Sequence, residues 1–154
     1  MKSMIKKRKV KVKKIRQEAI LPAYATKFSA GADLYACLDE EKVSFAPGET
    51  KLIHTGVSME IPEGLAGFIY ARSSVASKRG LAPANKVGVI DSDYRGEIMV
   101  ALHNHSDAVQ EIENGERIAQ IIIAPYVKAQ FVESDLLEKT ERGEGGFGST
   151  GRKG

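Results

Sequence analysis

Residues 51–71 read KLIHTGVSMEIPEGLAGFIYA, and this stretch decides the fold class. Lys51 to Ile61 has the alternation of a strand. Pro62-Glu63-Gly64 is a turn sequence, and Leu65 to Ala71 reads as the next strand. Working outward, the same signal repeats. Upstream, Val10, Val12 and Ile15 stand among lysines at roughly period-two spacing, which predicts a first strand. Downstream, Val87 to Ile90, Glu97 to His103, Arg117 to Ala124 and Tyr126 to Val132 read as short strands. Pro47-Gly48 and Asn114-Gly115 punctuate the series with tight-turn chemistry. Helix is scarce. Ser73 or Ser74 can cap a short helix through Lys78 that Gly80 ends, and Asp135 to Lys139 has room for one turn. Many short strands in one chain of 154 residues predict a single all-β domain: a sandwich, barrel or jelly roll.

Composition excludes several classes. With 42% hydrophobic and 28% charged residues, wholesale disorder does not fit. No apolar run approaches the ~18 residues that cross a bilayer, and no apolar segment follows the basic amino terminus as in a secretory signal. Cys37 is the only cysteine, which rules out an intrachain disulfide and points to a reducing, cytoplasmic setting. The formal charge of +3 is unevenly spread. Residues 1–16 hold nine Lys and Arg and no acid, leaving 14 basic against 20 acidic residues elsewhere. A basic arm attracts polyanions. This one has no aromatic residue to stack on bases, so it reads as a solvated lead-in to an edge strand rather than a nucleic-acid contact.

Four stretches have the residue types for chemistry. Arg72-Ser73-Ser74 follows a strand and opens the helix, where free N–H groups, two hydroxyls and a guanidinium suit phosphate oxygens. Read alone, it also fits an ordinary helix cap. Asp91 and Asp93 flank a turn in the run from Val87 to Gly96, where an aspartate orients a water, binds Mg2+, or simply serves the turn. Gln120 is a lone polar residue in an apolar strand, either lining a site or facing solvent. Arg142 to Gly151 holds five glycines around Phe147, the composition of a disordered terminus or of a flexible flap. It is no P-loop, because Arg152-Lys153 follows where Lys and a hydroxyl residue belong. Zinc-type clusters are missing from the sequence. His103 and His105 alone lack a third ligand, and no nucleophile elbow is present.

In order and spacing these stretches resemble the five motifs of the trimeric deoxyuridine triphosphatases (dUTPases). Ala30 to Ala36 is similar to the first motif, Ala71 to Ala76 to the second, Asn85 to Glu97 to the third, Gly115 to Gln120 to the fourth and Arg142 to Gly151 to the fifth. The second departs slightly: Ala71 stands where proline is usual and Ser74 where glycine is. The resemblance implies a β-clip-like jelly roll with one short helix, three copies around a threefold axis, and sites built from all three. Residues 1–9 would be an arm, 10–141 the jelly roll and 142–154 the flap.

It implies cleavage of dUTP to dUMP and pyrophosphate with Mg2+, which limits uracil in DNA and supplies dUMP for dTMP synthesis. Asp91 would activate the attacking water, and Asp33 would hold the metal through a water. Arg72, Ser73, Ser74 and Gln120 would grip phosphates. Asn85, Gly88, Val89 and Ile90 would read the uracil edge, with a tight wall there excluding the 5-methyl of thymine, Tyr94 would exclude a 2′-hydroxyl, and Met99 would also contact the substrate. Arg142, Phe147, Gly148, Ser149 and Thr150 would close over the nucleotide. Two rivals are a dCTP deaminase on the same fold, told by ammonia release, and a nucleotide-binding relative without turnover.

Overall fold

The computed structural model describes residues 7–146. It is an all-β jelly roll with one short helix. Its strands are β1 (Lys11–Lys14), β2 (Ala32–Tyr35), β3 (Lys42–Phe45), β4 (Thr50–Glu60), β5 (Leu65–Tyr70), β6 (Leu81–Pro83), β7 (Gly88–Ile90), β8 (Glu97–Asn104), β9 (Gln110–Glu113) and β10 (Arg117–Pro125); α1 spans Ser73–Arg79. One sheet has the order β1-β4-β8-β6 and the other β2-β10-β5-β7, with β3-β9 as a separate ribbon. All the pairings are antiparallel.

The core follows from strand periodicity. In β8, Ile98, Val100, Leu102 and Asn104 are buried while the residues between them are half-exposed. They meet Phe45, Val57, Leu81, Ile112, Ile118 and Leu34. Each such aliphatic or aromatic side chain contributes roughly 1.5–3 kcal/mol on burial. Asn104 is fully buried but satisfied. Its Nδ2 donates to Phe45 O at 3.0 Å and Ala108 O at 2.8 Å, and its Oδ1 accepts from Ser106 N–H at 2.9 Å. It locks the end of β8 to the β3 corner.

Strand β4 departs from simple alternation. Its register against β8 shifts between His54 and Ser58, because Gly56 adopts a φ of +68° that strand residues do not share. A side chain at Gly56 would also run into Ala19, Cys37 and Arg16. The bulge thus seats the residue 16–19 segment and Cys37 against the sheet.

Three expectations fail. Tyr126 to Val132 forms no strand: β10 ends at Pro125 opposite Leu65, the first residue of β5, and among the described residues no strand lies beyond. Val127, Phe131 and Val132 are 92%, 95% and 77% exposed. Asp135 to Lys139 forms no helical turn, since it packs against nothing that would stabilise so short a helix. Neither serine caps α1. Arg72 holds the cap position with extended backbone and no side-chain cap bond, while Gly80 ends the helix in the left-handed conformation as expected. β2, β3, β6 and β9, each of three or four residues, were not anticipated.

Candidate active site

One cluster is built across three strands. In β10, Gln120 pairs with Asp33 of β2 on one side and Tyr70 of β5 on the other. Strand spacing of about 4.8 Å therefore brings Asp33, Gln120 and the end of β5 into one short row. Ala71 and Arg72 follow Tyr70 directly, so the chain enters α1 over this row. Arg72 Nε donates to Asp33 Oδ1 at 2.7 Å, and Arg117 approaches Asp33 Oδ2 at 3.4 Å. The Asp33 side chain is only 9% exposed, so the two guanidiniums compensate a charge that burial would otherwise penalise. Arg117 was not singled out from sequence. Its place three residues before Gln120, opening an apolar strand, was the available signal.

Gln120 is held firmly. Its Nε2 donates to Ala71 O at 2.9 Å, and its Oε1 lies against Gly31, where any Cβ would overlap it. The glycine of the first motif-like stretch is thus explained by the glutamine of the fourth. Ser73 and Ser74 are exposed at the start of α1, where the first N–H groups have no partner within the helix. A half-buried guanidinium, two hydroxyls, free N–H groups and an amide converge there, a donor set matched to phosphate oxygens.

A second group stands apart. The connection from β6 to β7, which crosses from one sheet to the other, carries Asn85 next to Lys86, a non-glycine residue at a φ of +63°. Gly88, Val89 and Ile90 pair with Ile69, Phe68 and Gly67, so Asp91 is level with Ala66. From there to Tyr70 is four strand residues, roughly 13 Å, and Arg72 lies farther still. Asp91 is exposed and opens a turn closed by Tyr94 N–H on its carbonyl at 3.2 Å. It borders an open cleft of 880 Å³ with Ala66, Phe68, Val89 and Tyr126 to Lys128; none of Arg72, Ser73, Ser74 or Gln120 lines it. Tyr94 Oη donates to Glu97 O at 2.9 Å, and Met99 is half-buried on β8 opposite His54. Arg142 is exposed and donates to Gly145 O at 2.8 Å. Phe147, Gly148, Ser149 and Thr150 lie outside the described residues.

The sequence model of the dUTPase family matches residues 17–151. The chain belongs to the dUTPase family. It is 53% identical over 144 residues to the deoxyuridine 5′-triphosphate nucleotidohydrolase of Nautilia profundicola, covering 94% of this chain and 99% of that one. The counterpart from a Hydrogenobaculum species is 49% identical at the same coverage. Among solved structures, a variant dUTPase of Staphylococcus bacteriophage 80alpha with dUpNHpp superposes with a TM-score of 0.84 at 30% identity, over 94% of this chain and 99% of that one. A variant dUTPase from phage phi11 of S. aureus, described with a structural Mg(II) ion, gives 0.76 at 25% identity, over 86% of this chain and all of that one. Among the described residues no helix is long and apolar enough to cross a membrane.

Proposed function

We propose that this protein hydrolyses dUTP to dUMP and pyrophosphate in sites that three copies of the chain build together. The observation that carries this reading is the split between the two groups. Arg72, Ser73, Ser74, Gln120 and Asp33 gather at one end of β5, and Asp91 stands at the other, too far to serve the same phosphate. A homotrimer resolves this: Asp91 of one copy serves the phosphate grip of another, and the Arg142–Thr150 flap comes from the third.

In this arrangement Asp91 accepts a proton from the water that attacks the α-phosphorus, a role worth about 10²–10⁴-fold. Its exposure fits a base that a neighbouring copy covers. Arg72, Ser73, Ser74 and Gln120 hold the phosphates, and Ser74 donates to the leaving oxygen. Asn85 with the Gly88–Ile90 backbone pairs with the uracil edge, and Tyr94 with Met99 closes the space a 2′-hydroxyl needs. Arg142 meets the γ-phosphate while Phe147 to Thr150 cover the nucleotide and exclude water.

The residues present fit Mg2+. An ion held chiefly by substrate phosphates and its own waters needs few protein ligands, and Asp33 is the one the site offers. Asp33 spends one lone pair on Arg72 and one on Arg117, and a carboxylate offers about four, so it still accepts from a metal-bound water. Bound there, the ion would withdraw charge from the triphosphate and fix its geometry.

The test is pyrophosphate release from a panel of dUTP, UTP, dTTP and dCTP with Mg2+. Turnover confined to dUTP is expected. Comparable turnover of UTP would overturn the part given to Tyr94, and ammonia release from dCTP would favour a deaminase.

A further inference from the structure

The Tyr94 ring is held from two sides. Its hydroxyl end lies against Gly96, where any Cβ would collide with it, and the hydroxyl donates to the Glu97 carbonyl. Where the ring sits is therefore decided by where the Glu97 backbone sits.

That backbone is pinned by its own side chain. Glu97 is the first residue of β8, and its side chain is only 14% exposed. Oε2 accepts from His54 Nδ1 at 2.8 Å, and Oε1 accepts from Gly56 N–H at 2.8 Å. A carboxylate only accepts, so Nδ1 of His54 carries the proton. Both partners belong to the β4 bulge, where the ladder between β4 and β8 is interrupted from His54 to Ser58. The Glu97 carboxylate thus takes up the Gly56 N–H inside the interrupted stretch and ties the His54 side chain to it. The bulge itself is anchored, since Gly56 O accepts from Ile15 N–H at 2.9 Å and Thr55 Oγ1 donates to Ile98 O at 2.5 Å.

We infer that Glu97, clamped by His54 and the Gly56 N–H, is a positioning residue that sets the Tyr94 ring and hence the preference for deoxyribose over ribose. This rests on the proposed dUTP hydrolysis and on the part given there to Tyr94. Glu97 touches no reacting atom. It acts through one carbonyl, and a shift of about 1 Å in the ring opens the space that a 2′-hydroxyl needs.

The experiment measures kcat/KM for dUTP and for UTP in the wild type, E97A, E97Q, H54A, Y94F and the E97A/Y94F double variant. The readout is the dUTP-to-UTP ratio, because loss of folded or assembled protein lowers both rates alike and leaves the ratio untouched. E97A is expected to lower the ratio at least about tenfold, mainly by raising UTP turnover, and H54A to lower it less. E97Q should largely keep it, because the amide oxygen still accepts from Gly56 N–H and the amide nitrogen donates to the other tautomer of His54. Y94F breaks the bond to the Glu97 carbonyl, so the double variant should fall no further than the worse single one. A ratio within about twofold of wild type in E97A overturns the inference; if E97A does not fold, the same result in both H54A and Y94F does. A wild type that hydrolyses neither nucleotide would sink the underlying function instead, before any variant is compared.

Discussion

Two inactive proteins should restore activity when mixed, and the amount is calculable. Asp91→Asn keeps the turn and the fold but removes the base. Deleting residues 142–154 removes Arg142 and the glycine-rich flap. Each alone should lose at least about 10²-fold in kcat. In the proposed trimer each site takes its phosphate grip from one copy, its aspartate from a second and its flap from a third. After random exchange of equal amounts, half the sites receive an intact aspartate and, independently, half receive an intact flap. About one quarter of sites are then complete, so activity should rise to about 25% of wild type. The distance between Asp91 and the Arg72 cluster, roughly 13 Å of strand or more in one chain, puts aspartate and phosphate grip on different copies, and the two halves are independent because the flap comes from the third. The assay is pyrophosphate release after mild denaturation and joint refolding, with exchange verified by native mass spectrometry of size-tagged chains. No recovery in verified mixed trimers would refute the division of the site, since one copy would then supply both aspartate and flap.

Three further outcomes test the local geometry. Gly31→Ala places a methyl against the Gln120 amide and forces it off Ala71 O; kcat/KM for dUTP should fall about tenfold or more with little change in Tm, and unchanged kinetics would remove Gln120 from the site. Asn104→Ala strands the Phe45 carbonyl and the Ser106 N–H, so urea unfolding should show a loss of about 2 kcal/mol; less than about 0.5 would mean water replaces the amide. Burial, and after it the Glu18 carboxylate, raises the Cys37 thiol above its ordinary value. Less of it is thiolate at any pH below that value. A disulfide reagent at pH 8 should therefore modify native protein at least about 100-fold more slowly than unfolded protein, and equal rates would place Cys37 at the surface.

The long strands were legible because each pairs with a neighbour along most of its length. Lys51 to Ile61 and Glu97 to His103 alternate over enough residues for period two to stand out, and they form the central β4–β8 pair. The four strands that escaped notice are too short for any period to register. β6 has three residues, one of them Pro83, and β2 is buried on both faces except at Tyr35, which erases alternation. The α1 cap was misassigned because serine is the common capping residue. Here Arg72 takes that position, and its guanidinium turns to Asp33 rather than to the helix N–H groups.

The same distinction runs through the site. Asp33, Gln120 and Arg72 are far apart in sequence, and only the β2-β10-β5 order makes them neighbours. No periodicity reveals that order, and the resemblance grouped the three residues without giving it. Gly31 shows why the motif-like stretches travel together: its missing side chain is the space that Gln120 fills, 89 positions later. The reading of Tyr126 to Val132 as a strand failed for the complementary reason. Its apolar pattern is genuine, but a strand needs a partner edge, and the pairing of β10 ends at Ile121 against β2 and at Pro125 against β5. Val127, Phe131, Val132, Leu136 and Leu137 are each more than three-quarters exposed. Among the described residues this pattern meets no partner edge. The proposed trimer predicts that a neighbouring copy covers these side chains, so their exposure to labelling should fall on assembly.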